Sequence, residues 1–127
     1  MIVIAAGILL SLGVVAIVLA LGKGSSHTVH GVMVVGTSGC SLGAGYEDIS
    51  EGTGVTISNA GGTVVATSNL GLGVPSALGG CEFDFTAKVP DSTFYKIEVS
   101  HRGQVTFSKS DLASSNWEAD LTLGTSG

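Results

Sequence analysis

Basic residues are scarce. The 127-residue chain carries five Lys and Arg against ten Asp and Glu, for a net charge of −5. A nucleic-acid binder needs a basic surface to neutralise phosphates, so this balance argues against that class. Histidines number three and cysteines two. Cys40 and Cys81 are much too far apart for a CxxC redox or zinc motif. No serine sits in a Gly-x-Ser-x-Gly elbow, and no acid–base constellation stands out, so an enzyme is not expected. Beyond residue 24 no stretch has the apolar spacing of an amphipathic helix of useful length.

Charge is missing altogether from Ile2–Leu21, where only Gly7, Ser11 and Gly13 are not apolar. Twenty helical residues span about 30 Å, the thickness of a bilayer's hydrocarbon core. Residues 1–22 are therefore expected to form a single-pass transmembrane helix acting as a signal anchor. The competing reading is a cleaved secretory signal with Ala20-Leu21-Gly22 as a small-x-small site, which would leave a secreted domain. The apolar run is longer than the usual signal core, which favours the anchor. The small residues Gly7 and Gly13 read as part of a lipid-facing apolar face, and the alternative, a helix–helix contact around Gly7, Ser11 and Ala6, would be a route to self-association. Lys23 alone, by the positive-inside rule, would put the following domain in the cytoplasm; the cysteines point the other way.

Composition changes abruptly at Lys23. Residues 23–27 read as a linker, residues 28–124 as one β-domain and residues 125–127 as a tail. The domain is expected to fold without the first segment. Eighteen of the 20 glycines and 26 serines and threonines lie beyond residue 21, a composition of tight turns rather than helices. Seven strands are expected, at Val29–Val35, Val55–Ser58, Val64–Thr67, Cys81–Val89, Phe94–Ser100, Gln104–Ser108 and Trp117–Leu123. Asn59-Ala60-Gly61-Gly62 reads as a hairpin turn, and Ser110-Asp111-Leu112 as a short capped helical turn. Strict alternation, clearest in Cys81–Val89, gives each sheet one dry face. Two such sheets make a β-sandwich. Its core is expected to gather Phe83, Phe85, Tyr95, Ile97, Val99, Phe107, Trp117, Leu121 and Leu123. Trp117 opens the last inward row and is expected to be buried.

A Cys40–Cys81 disulfide is expected, since a domain this small gains most from a cross-link and an exported one can keep it. It would put the domain outside the cytoplasm. The alternative is two free thiols in a cytoplasmic protein.

The run Gly31–Val35, then Cys40, Gly45-Tyr46-Glu47-Asp48-Ile49, Gly52-Thr53-Gly54-Val55-Thr56-Ile57, Cys81-x-Phe83-x-Phe85 and the stretch Phe94–Gly103 resemble small membrane-anchored or exported actinobacterial proteins. Val89-Pro90 and Tyr95-x-Ile97-x-Val99 also resemble the layout of transthyretin-like sandwiches, as in carboxypeptidase regulatory domains and collagen-adhesin repeats. These likenesses imply a mainly β, seven-stranded Greek-key sandwich behind a membrane helix. They carry no catalytic residues over.

The chemistry-bearing residues are few. Glu47, Asp48 and Glu51 make an acidic loop, yet without the alternating order of a calcium loop. His101 and Arg102 read as a turn, with the Arg102 fork suited to a carboxylate of the same domain or to a ligand. These five are the candidate contacts with a partner or ligand. His27 and His30, three apart on a strand, point to opposite faces and do not make a metal pair. No metal or cofactor is expected. The sequence thus reads as a non-catalytic binding or accessory module on the cell membrane, its domain extracytoplasmic, within a larger membrane complex or self-associated. A pilin-like filament subunit is the other alternative to a secreted domain.

Overall fold

The computed structural model describes residues 26–124, so the expected membrane helix and the tail at 125–127 lie outside the described residues. The chain forms β1 (Ser26–Val35), β2 (Gly54–Ser58), β3 (Val64–Asn69), β4 (Val74–Pro75), β5 (Cys81–Pro90), β6 (Phe94–Val99), β7 (Gln104–Ser108), α1 (Lys109–Ser114) and β8 (Glu118–Leu123). One four-stranded sheet has the order β4-β5-β1-β8 and the other β3-β2-β6-β7. All neighbours are antiparallel except β1 and β8, which run parallel.

The core lies between the sheets because the dry faces expected from alternation turn toward each other. Along β5, Cys81, Phe83, Phe85, Ala87 and Val89 are all buried while the intervening residues are not. From β6, Tyr95, Ile97 and Val99 meet them, with Val55 and Ile57 of β2. Loops and α1 add Ile49, Leu70 and Leu112, which no strand pattern marks.

Strand boundaries correct the linker expected at 23–27. Ser26 and His27 already belong to β1, paired with Pro90 and Val89. Polar Ser-His-Thr gives no alternation, but the length of β5 supplies ladder partners. Among the described residues the count also rises from seven strands to eight. Val74–Pro75 pairs with Glu82 and Cys81 at the sheet edge, too short and too glycine-flanked to leave a pattern. The expected hairpin turn is present, with Gly62 donating to the Asn59 carbonyl at a φ of 86°. The helical turn starts earlier than expected: the Ser108 hydroxyl, not Ser110 or Asp111, caps α1 by accepting from the Asp111 amide at 3.0 Å.

Trp117 is the main correction to the core. It precedes β8 and is half-buried rather than enclosed. Its φ is 64° and that of Asn116 is 60°. A left-handed backbone at a bulky residue costs of order ~1–3 kcal/mol. Phe107 and Leu123 are half-buried too, and Val105 is 44% exposed. Val105 and Phe107 sit on β7, an outer strand of its sheet, and Leu123 is the last residue of β8, whose Ala119 and Leu121 are buried.

Gly31 faces the ring of Phe85 across the β1–β5 ladder, and a Cβ there would lie 2.0 Å from two ring atoms. Phe85 is 4% exposed and has little room to retreat. Gly31→Ala is expected to destabilise the fold by about 1–3 kcal/mol through overpacking. Urea unfolding read by pulse proteolysis checks it, and an unchanged midpoint would show that the ring can move.

Candidate functional site

The end of the sandwich away from Ser26 carries the expected site residues. β1 leaves the sheet at Val35, and residues 36–53 cross over to β2. Cys40 in this loop is bonded to Cys81, the first residue of β5, closing a segment with a sequence separation of 41. Ile49 anchors the loop's middle in the core at 3% exposure. Hydrogen bonds then fold the acidic stretch on itself: the Ile49 amide donates to the Tyr46 carbonyl, and the Thr53 hydroxyl donates to the Asp48 carbonyl. The Gly52 amide donates to the Leu70 carbonyl and the Leu70 amide to that of Thr53, and the Gly36 amide donates to the Leu123 carbonyl, so the loop is held at both ends.

Arg102 reaches this loop from the β6–β7 turn, where Gly103 has a φ of 90°. Its Nε donates to Asp48 Oδ2 at 2.9 Å, and its Nη2 donates to Asp48 Oδ1 and to the Gly45 carbonyl. The guanidinium also stands 5.6 Å from the Tyr46 ring centre. Two of the five expected contact residues are therefore paired within the domain. Asp48 has both oxygens engaged, and among the described residues no three His, Cys, Asp or Glu side chains gather as a metal ion requires.

Glu47 accepts from the Gly45 amide at 3.0 Å. Glu47 and Glu51 enter no ion pair among the described residues. They border a hollow of about 360 Å³ whose floor includes Ile49, Phe83 and the Cys40–Cys81 cystine. His101 is exposed in the turn beside Arg102. The arrangement offers a surface contact with two available carboxylates over apolar ground.

The Arg102 fork, with Ser100 adding to it, holds the Asp48 carboxyl well below the usual carboxylate range. A depressed carboxyl stabilises the fold above its unfolded value of about 4 and ceases to do so as the pH falls through the folded value. Arg102→Ala is expected to return the Asp48 titration toward about 4. Carboxyl-carbon NMR titration reads this directly, and an unmoved Asp48 resonance would refute the pairing.

A second cluster, at the Ser26 end, is not foreshadowed by any sequence motif. The His27 imidazole stacks on Trp117 with ring centres 4.0 Å apart and planes 8° from parallel. Its Nε2 lies 3.1 Å from Asp91 Oδ1, and Lys109 Nζ lies 2.7 Å from the same oxygen. Lys109 foremost, then His27, lowers the pKa of the Asp91 carboxyl. Tyr95 meets the Trp117 ring edge-on at 6.0 Å and donates its hydroxyl to the Pro90 carbonyl. Asn116, a residue that tolerates left-handed backbone, is the one local signal of the turn that aims Trp117. His30 points to the opposite, exposed side, so the two histidines do not converge.

Fold and loop together define a disulfide-stapled, two-sheet β-domain with an acidic loop beside a hollow at its far end. No family model matches the chain, and no match is found among curated proteins or solved structures.

Proposed function

We propose that this protein is a non-catalytic accessory or binding module held at the outer face of a cell membrane by Ile2–Leu21. One observation carries the reading. A domain closed by the Cys40–Cys81 cystine begins five residues after an uncharged run long enough to span a bilayer. A cystine persists on the oxidising side of a membrane, which outweighs the single positive charge of Lys23. The far end presents Glu47, Glu51 and His101 to a neighbouring subunit, while Asp48 and Arg102 hold that loop in shape. We also read the sandwich as a Greek-key domain of transthyretin-like layout. The chain changes sheet after β1, β3, β5 and β7, and the Val89-Pro90 end and the Tyr95-x-Ile97-x-Val99 strand stand on successive strands β5 and β6.

Membrane fractionation tests the reading. The full chain is expected to resist alkaline extraction, to be digested by protease added outside intact cells, and to show no alkylatable thiol without reductant. A soluble product whose N-terminus is Lys23 would establish the secreted form instead. Two free thiols on a protease-protected domain would overturn the extracytoplasmic placement.

A further inference from the structure

We propose that the Ser26 end of the sandwich is a membrane-docking face that seats Trp117 in the lipid headgroup layer. The inference rests on the membrane anchoring proposed above and adds the orientation of the domain.

The reach of the chain limits where this end can be. Ser26 follows Leu21 by five residues, which is about 17 Å at full extension. The ends that share this side of the sandwich are the start of β1, the end of β5 at Pro90, and the turn from α1 into β8. Trp117 sits in that turn.

The conformation of Trp117 is the second argument. A tryptophan wanted only for the core would be placed on the strand, in the inward row with Ala119 and Leu121. Instead Asn116 and Trp117 both take left-handed backbone. The indole then lies over His27, edge-on to the Tyr95 ring with planes 73° apart, and remains half-buried at the rim. Strain of this kind persists where the surroundings enforce it and is concentrated at working surfaces. A rigid indole at a domain rim, apolar in body and with an N–H to donate, matches the chemistry of the headgroup layer.

Charge is the third. Lys88, Lys96 and Lys109 all lie in the half of the sandwich toward Ser26, the first opposite Thr28 and the second opposite Ser58. Asp91, Asp111 and Glu118 share that half, so it is close to neutral, and Asp91 is already paired. The other end holds Glu47, Asp48, Glu51 and Glu82 against Arg102 alone. An anionic bilayer repels that end and tolerates the Ser26 end.

Trp117 is the chain's only tryptophan, so its fluorescence reports on one place. The full chain is reconstituted into phosphatidylcholine–phosphatidylglycerol vesicles containing lipids brominated near the headgroup end of the acyl chains. Trp117 is expected to lose most of its emission to the brominated lipid and to be spared by aqueous iodide. A reporter moved to the opposite end, Leu78→Trp in a Trp117→Phe chain, is expected to behave in reverse, since Leu78 is 96% exposed there. Iodide quenching of Trp117 without lipid quenching overturns the inference. So does a Trp117 reached by neither, which would make it a core residue only, and so does lipid quenching at Leu78→Trp. Flotation of the vesicles separates the two claims. A chain that floats but fails these tests keeps its anchor and loses this orientation; a chain that does not float loses both.

Discussion

Replacing Cys40 and Cys81 together with Ala is expected to lower the unfolding free energy by about 4 kcal/mol in the chain-entropy account. The cystine closes a segment with a sequence separation of 41, and that segment contains the loop least supported by strands. Cys81 is 1% exposed, with its sulfur against Gly73, while Cys40 is exposed in the loop, so the bond ties a surface segment to the core. Total stability of a domain this size is about 5–10 kcal/mol, so the bond accounts for a large share. The loop carrying Glu47, Asp48 and Glu51 is expected to open first on reduction. Pulse proteolysis in urea, on the full chain in detergent with and without reductant, measures the difference. Matching midpoints would mean that the loop is held by Ile49 and the Arg102–Asp48 pair alone.

Tyr95→Ala is expected to cost about 3–5 kcal/mol, the usual range for a large buried aromatic. Tyr95 is 0% exposed and lies on β6, paired to Phe107 on one side. Its hydroxyl reaches the Pro90 carbonyl at 2.8 Å, tying the two sheets at the Ser26 end. Tyr95→Phe keeps the ring and removes that bond, at about 1 kcal/mol. Trp117→Ala falls below Tyr95→Ala, because the indole is only half-buried and its removal lets the backbone relax from a strained turn. Glu118→Ala, on the exposed face, stays within about 0.5 kcal/mol. Circular dichroism follows all four variants. A larger loss at Trp117 than at Tyr95 would place the centre of the core at the rim.

The candidate site was legible in kind but not in geometry. Glu47, Asp48, Glu51 and Arg102 stand out because charged residues are few and these cluster near glycines. Which carboxylate takes the arginine does not follow, since Asp48 and Arg102 are 54 residues apart. Only the crossing of residues 36–53 over the sandwich end brings them within reach. The His27, Asp91, Lys109 and Trp117 cluster draws on four separate segments, so no window of sequence contains it.

What the chain determined by itself is everything that depends on neighbours in sequence. Alternation with period two marks the dry rows of β5 and β6, because side chains on a strand point to alternate faces whatever the strand pairs with. Glycines and Asn59 mark the hairpin turn for the same local reason, and the uncharged run Ile2–Leu21 is a property of composition alone. Tertiary structure decided what each row meets. Val105, Phe107 and Leu123 follow the inward pattern as faithfully as Ile97, yet they are exposed or half-buried, the first two on the outer strand β7 and the third at the end of β8. Ser26 and Val74 became strand residues only because β5 offered them hydrogen-bond partners. Trp117 left its row because the turn from α1 turned it toward His27. Burial needs a covering surface, and a strand's own residues do not say whether one will arrive.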